Sequence, residues 1–286
     1  MDIQNDHRYA INLNVRGIQP SATLRINELS NHLKSEGKDI IKLGLGQSPF
    51  PVPDRVVEAL KEHAHEKDYL PVKGLKGLRE AIAGYIRRSE RMHCTWEDVL
   101  IGPGSKELLF MLQLAYYGDL LIPRPSWVSY APQARIIGRS VHWLPTHAEN
   151  NWQLTAEELD IICRDDPSRP RILILNYPSN PTAYTATLDF YKEVVAYCRE
   201  HSIFILSDLA YAEIYFDDTP PPSILEVPGA MEIAVEFTSM SKTYSMPGWR
   251  VGFAVGNERL ISALTRVKSY LDYGAFTPVQ VAAAAA

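Results

Sequence analysis

Four short clusters of the chain hold the residue types that covalent and acid–base chemistry need. They are G-P-G-S-K at 102–106, N-Y-P-S-N-P-T at 176–182, S-D-L-A-Y at 207–211 and T-S-M-S-K at 238–242. A lysine in such a place is a nucleophile only when neutral, which burial or neighbouring cations can bring about. Gly104, Ser105 and Lys106 stand where a helix opens, and the free N–H groups and positive dipole end of a helix start favour an anion. Ser239 and Lys242 also form the S-x-x-K pair of penicillin-binding proteins and β-lactamases, but the S-D-N and K-T-G partners of that chemistry fail, because Leu209 follows Asp208 and Tyr244 follows Thr243. No G-x-x-x-x-G-K-[ST] or G-x-G-x-x-G occurs, so a nucleotide site has no support.

Each cluster ends a short apolar run: 99–102, 171–175, 203–206 and 234–237. Further apolar runs lie at 120–123, 140–144 and 251–255. Between them the spacing predicts helices. Residues 54–67 start at Pro53 and Asp54 and put Val56, Val57, Leu60 and Ala64 on one face; 75–91 do the same with Leu75, Leu78, Ile82 and Ile86. Helices are also expected over 105–117, 155–164, 189–201 and 258–270, and over the alanine-rich end, 281–286. The apolar runs are continuous rather than alternating, which suits strands buried on both faces. Strand–helix alternation predicts an α/β fold, a mostly parallel sheet sandwiched by helices. Ligands of such sheets sit beyond the carboxyl ends of the strands, so four polar clusters at those ends converge on one crevice.

Composition narrows the class. The chain has 286 residues, 46% hydrophobic and 22% charged, which fits a globular protein and excludes a disordered one. A net charge of −5 gives no reason to expect nucleic acid or a polybasic membrane contact. No run approaches the ~20 apolar residues of a membrane-spanning helix, and the first residues have no apolar signal-peptide core. Cys94, Cys163 and Cys198 lie far apart without C-x-x-C, which argues against a zinc ribbon or disulfide scaffold and suits a reducing cytoplasm. His63 and His65 are not spaced to share a helix face, so no metal is expected.

The clusters resemble the class I/II aminotransferases, pyridoxal-phosphate enzymes of fold type I in the aspartate aminotransferase superfamily. The pieces that match, in the family's order, are Y-L-P-V-K-G at 69–74, G-P-G-S-K at 102–106, P-S-W at 125–127, N-Y-P-S-N-P-T at 176–182, S-D-L-A-Y at 207–211 and S-M-S-K-T-Y-S-M-P-G-W-R-V-G at 239–252. The last is the most specific, and the match runs from about residue 40 to the end.

The resemblance implies pyridoxal 5'-phosphate as cofactor, an electron sink that the protein holds and tunes. Lys242 would form an imine with its aldehyde, and Asp208 would keep its ring nitrogen protonated. Tyr211 and Asn180 would hydrogen-bond its phenolate oxygen. Gly104, Ser105, Lys106, Ser239 and Arg250 would take the phosphate, for which the planar fork of arginine is suited. Trp127 would stack on the ring. Tyr69 would reach across a homodimer to the partner's phosphate. Gly46, with Asn180 and Trp127, would lie against the substrate. Plainer readings also exist: a helix N-cap for Asp208, core packing for Tyr211 and Trp127, a solvated helix lysine for Lys106, a turn for Gly46.

The implied activity is amino-group transfer between an α-amino acid and a 2-oxo acid, with freed Lys242 moving the Cα proton to the cofactor's C4′ carbon. The stretch R-V-K-S-Y-L-D-Y-G-A-F-T-P at 266–278 looks like the glutamate–pyruvate (alanine) branch, near the aspartate and diaminopimelate branches. Two alternatives stay open, a C–S β-lyase of the same fold and a non-catalytic aminotransferase-like regulatory domain. For the second, residues 1–40 are too short and irregular to hold the helix-turn-helix it would need. Family members usually continue past the position of Ala286. The expected division is therefore an N-terminal segment, 1–50, contributing to a small domain, and a large cofactor-binding domain, 51–286. The C-terminal small domain, with the arginine that grips the substrate carboxylate, is expected to be absent from this chain.

Overall fold

A computed structural model of the protein describes residues 11–87 and 92–286. Helices α1 (Leu13–Arg16), α2 (Ala22–Ser35), α3 (Asp54–His63) and α4 (Lys76–Ile86) precede the first strand, β1 (Val99–Gly102). Alternation then follows through α5 (Ser105–Ala115), β2 (Asp119–Arg124), α6 (Tyr130–Ile136), β3 (Val141–Pro145), α7 (Ala156–Cys163), β4 (Arg171–Leu175), α8 (Leu188–Glu200) and β5 (Ile203–Asp208). After β6 (Ala234–Ser239) come the short α9 (Met240–Thr243), β7 (Gly252–Gly256), α10 (Glu258–Lys268) and α11 (Thr277–Ala285).

The seven strands form one sheet in the order β1-β7-β6-β5-β4-β2-β3. All neighbours are parallel except β7, which runs antiparallel to both β1 and β6. Both faces are covered, as the continuous apolar runs require. On one face Leu173, Leu175 and Ile205 pack with Val194, Val195 and Cys198 of α8; on the other Ile172, Ile174, Val235 and Phe237 pack with Leu108 and Leu112 of α5 and Leu260 and Leu264 of α10. Each fully buried side chain of this kind contributes about 1.5–3 kcal/mol. Local signals fix the helix starts. Thr155 and Glu158 form a capping box before α7, and the Thr187 hydroxyl accepts the Phe190 N–H before α8.

The structure alters some expected bounds. The first predicted helix stops at His63, and the one expected over 75–91 ends at Ile86, while residues 88–91 lie outside the described residues. Four helices, α1, α2, α6 and α9, have no counterpart in the sequence reading. α2 buries none of its residues, so it has no core-facing stripe to read. α6 is short and holds Pro132 in its first turn, where no N–H is needed. Among the described residues no helix is long and apolar enough to cross a membrane.

The reversed β7 matters most for the site. It lies between β1 and β6 and pairs Gly252 with both Gly102 and Ser239, so the residues just before it arrive where the parallel strands end. Gly252 is required there: an added Cβ would sit 2.6 Å from the Ser105 backbone nitrogen and 2.8 Å from the Gly104 carbonyl carbon. Those are rigid backbone atoms at the start of α5, with no side chain to swing aside. Gly252→Ala is therefore expected to cost about 1–3 kcal/mol in chemical denaturation, the usual range for overpacking. An unchanged denaturation midpoint would show that α5 does not rest on this glycine.

Candidate active site

The crevice at the strand ends is built from three sides. The first is the start of α5. Gly104 adopts φ +90 and is the N-cap, and no side chain caps the helix, which leaves its first N–H groups for an anion. Arg250, itself at φ 57, brings its guanidinium against this turn; Nη2 donates to the Pro103 carbonyl at 3.1 Å and Nη1 to the Pro247 carbonyl at 2.9 Å. A Cβ on Gly104 would lie 2.2 Å from Arg250 Nη2, so only glycine lets the fork reach the helix start. Ser239, at the end of β6, accepts the Ser241 N–H at 3.2 Å, and the Ser241 hydroxyl lies 3.5 Å from Arg250 Nη1. Hydroxyls, a guanidinium and open helix N–H groups thus face one spot, a donor set that suits phosphate.

The second side carries Lys242, on the single turn of α9. Its ammonium donates to the Gly46 carbonyl, which places the N-terminal segment directly over it. Burial lowers the Lys242 pKa, and the nearby Arg250 charge lowers it further. Lys106 is shifted down by the same two causes in the same order, and its Nζ stands 5.3 Å from the centre of the Trp127 ring.

The third side is the end of β5. Asp208 is 4% exposed. One carboxylate oxygen, Oδ2, accepts the Tyr130 hydroxyl at 2.7 Å; the other, Oδ1, is buried and has no hydrogen-bond partner among the described residues. Burial pushes the carboxyl up to about 6, against the pull of the Tyr130 hydrogen bond and the nearby Ala210 backbone N–H. Tyr130 is 1% exposed and its phenol is pushed well up, by burial first and then by the Asp208 charge, so it stays a proton donor. Trp127 meets Tyr130 edge to face, with ring centres 5.3 Å apart. Asn180 donates to the Tyr211 hydroxyl at 3.4 Å, and burial raises the Tyr211 pKa.

These features fit pyridoxal phosphate. A buried carboxylate oxygen without a donor calls for an N–H cation such as a protonated pyridine nitrogen. A lysine of lowered basicity suits covalent capture of an aldehyde, and the α5 turn suits the phosphate. Asn180 and Tyr211 also border an open cleft of about 1370 Å³ whose floor includes Glu236 and Thr238, but Lys242, Asp208 and Arg250 do not line it. The crevice and this cleft therefore meet at Asn180 and Tyr211. Among the described residues no three His, Cys, Asp or Glu side chains group as a metal site. Tyr69 lies apart from the crevice, 86% exposed, with its ring 5.3 Å from that of Tyr273. Sequence reasoning passed over Tyr130 and Ser241. Ser241 could have been noticed as a second hydroxyl beside Lys242, whereas Tyr130 carries no signal of its own, because its partner Asp208 is distant in sequence.

Fold and crevice together define a pyridoxal-phosphate domain of fold type I. The family model described as aminotransferase class I and II matches residues 38–286, and the chain belongs to that family. A protein designated aminotransferase AatC from Rhizobium meliloti (strain 1021) is 48% identical over 276 residues, spanning 94% of this chain and 67% of the relative. Glutamate-pyruvate aminotransferase AlaC of Escherichia coli (strain K12) is 40% identical over 266 residues, 91% of this chain and 64% of its own length. Aspartate aminotransferase from Thermus thermophilus with maleate superposes with a TM-score of 0.89 at 28% identity, covering 96% of this chain and 72% of that one. The chain therefore spans roughly two thirds of the length of the proteins it matches. It is a pyridoxal-phosphate-dependent transaminase by family, with amino acids and 2-oxo acids as its small-molecule substrates.

Removing the Tyr130 hydroxyl tests the electrostatics of Asp208. In Tyr130→Phe the carboxyl keeps its burial and loses the hydrogen bond that pulls its pKa down, so its titration should move above about 6. The sign for stability follows. A folded-state pKa above the unfolded one means that the folded cofactor-free chain binds the extra proton, so its stability is full below about pH 4 and falls as pH rises through the folded pKa. In the variant that fall should extend to higher pH. The carboxyl ¹³C shift of Asp208 against pH reads the titration directly, and a midpoint at or below that of the parent chain would contradict it.

Proposed function

We propose that the crevice holds pyridoxal phosphate with the roles that its geometry suggests, and that the protein is a transaminase of the glutamate–pyruvate type. The observation that carries the site assignment is the half-satisfied carboxylate of Asp208. Its Oδ1 would meet the ring nitrogen, while Tyr130 holds Oδ2. The bound cofactor supplies an acceptor for the electron pair left when a bond at the amino acid Cα breaks. Lys242 would hold it through Nζ and, once free, would act there as the base that removes the Cα proton and the acid that returns one. Its lowered pKa raises the neutral fraction that capture and proton removal need, and makes the protonated form a better acid. Gly104, Ser105, Lys106, Ser239 and Arg250 would hold the phosphate, and Trp127 would pack against the ring. Asn180 and Tyr211 would hydrogen-bond its ring oxygen. Gly46, whose carbonyl already meets Lys242, brings the N-terminal segment to the substrate side, with Asn180 and Trp127.

The substrate type rests on the stretch 266–278 and on the likeness to a relative named glutamate-pyruvate aminotransferase. Residues 51–286 form the cofactor-binding domain in this reading. The segment before residue 51 contributes to a smaller unit, in keeping with the exposure of Leu24, Leu29, Ile41 and Leu43 and with the first buried core residue, Val56. The three cysteines are buried and unpaired, which supports a reducing compartment, the cytoplasm. The exposed aromatic patch of Tyr69, Tyr270, Tyr273 and Phe276 supports a homodimer in which Tyr69 completes the partner's phosphate site.

Lys242→Ala should abolish the visible absorbance that the chain gains on addition of pyridoxal phosphate, and a band that persists would remove Lys242 from its role. The parent chain, given alanine with 2-oxoglutarate, should form pyruvate and glutamate; ammonia plus pyruvate from cystathionine instead would identify a lyase. For the shared site, Lys242→Ala and Tyr69→Ala chains should each be impaired alone and recover part of the activity when mixed and refolded together. No recovery, with dimers present, would place each site within a single chain.

A further inference from the structure

Asn176 follows the last residue of β4, and its carboxamide ties two strand ends together. Nδ2 donates to the Asp208 carbonyl at 2.8 Å and to the Pro178 carbonyl at 3.3 Å. Oδ1 accepts the backbone N–H of Asn180 at 2.8 Å. The two residues tied in this way are those that lead into the candidate site from different strands: Asp208 from β5, and Asn180, which reaches the Tyr211 hydroxyl.

The ladder explains why a side chain is needed. β4 and β5 pair from Arg171↔Ile203 as far as Leu175↔Ser207. The next rung would join residues 176 and 208, where the chain after β4 turns away through Pro178 and Pro181 and leaves the backbone of Asp208 without that neighbour. The Asn176 amide has the donor and acceptor of a peptide group and takes its place. Asn176 also borders a cavity of about 20 Å³ with Ile174, Tyr130, Trp152 and Asn180, space for about one water molecule. Aspartate could still accept from Asn180 but could not donate to Asp208, and alanine could do neither.

We propose that Asn176 is a positioning residue: its carboxamide sets the separation between the Asp208 carboxylate and the Asn180–Tyr211 pair. This rests on the cofactor reading above, in which those groups hold two different edges of the same ring. A change in their separation cannot satisfy both contacts, because the ring is rigid.

The test uses the 286-residue chain with Asn176→Ala and Asn176→Asp, and three measurements. Exchange of the Asn180 amide in the cofactor-free chain should quicken in Asn176→Ala and stay near the parent rate in Asn176→Asp, which keeps the acceptor. Affinity for pyridoxal phosphate relative to its 1-deaza analogue, which lacks the ring nitrogen, should fall about tenfold in both variants, the effect of losing a buried hydrogen bond that aligns a contact. The pH midpoint of the visible band should shift by about one unit in Asn176→Ala, where the Asn180 contact is loosened. Folded variants with the parent's affinity ratio and band midpoint would overturn the assignment and leave Asn176 a loop residue. Absence of any visible band in the parent chain would instead overturn the cofactor reading, so the two failures are told apart.

Discussion

A carboxylate with one oxygen bonded and the other bare, deep in a sheet protein, is the constraint around which the site is arranged. Leaving a buried acceptor unmet costs about 1–3 kcal/mol. The cofactor-free chain sustains Asp208 in that state because its surroundings are stiff. β5 lies in the middle of the sheet, Tyr130 is buried with it, and the Asn176 amide extends the β4–β5 ladder past its last rung. Neutralising the carboxyl is the other escape, and the rise to about 6 shows burial pushing that way. The tyrosine opposes this by a hydrogen bond to the charged form. An arriving cation then finds an anion already oriented, with little reorganisation left to do, which is the condition under which electrostatic stabilisation is strongest.

The opposite sign of charge accumulates a few residues away. Lys106, Lys242 and Arg250 come together where β1, β6 and β7 meet, and Arg250 depresses both lysines. Such a grouping is unfavourable by itself and becomes favourable when a dianion enters. The fold makes it possible through one reversal. If β7 ran parallel to its neighbours, its start would lie at the far end of the sheet and Arg250 with it. Running antiparallel, it delivers Arg250 to the α5 turn, and Gly252 and Gly104 supply the room. Burial does most to lower the lysine pKa values, and the closeness of Arg250 adds to it, so phosphate binding and lysine activation share a contributor. The anion that relieves repulsion at the cradle would also soften the shift on Lys242, so the lysine is least basic before the cradle fills.

How far the sequence speaks depends on the range over which each feature is encoded. The α/β class is local: runs such as Arg171 to Leu175 are apolar without alternation and are followed by polar clusters, and the structure buries every one of those residues. The phosphate turn is equally local, since glycine, serine and lysine sit side by side at 104–106. The direction of β7 is not local. An apolar run has no polarity that marks it parallel or antiparallel, and only its register against Gly102 and Ser239 decides it. α2 escaped notice for a related reason, because none of its residues is buried in the described chain, and Leu24, Ile26 and Leu29 lie exposed. Tyr130 and Asn176 are harder still. A tyrosine after Pro125 and Trp127 reads as core packing, and an asparagine two residues before a proline reads as turn chemistry. Both readings are correct as far as they go: Tyr130 does pack in the core, and Asn176 does shape a turn. Their second task appears only when β4 and β5 lie side by side and bring residue 208 within reach of both. Residues that touch the ligand are chosen for a chemical type, which a sequence displays; residues that hold them are chosen for a place, which it does not.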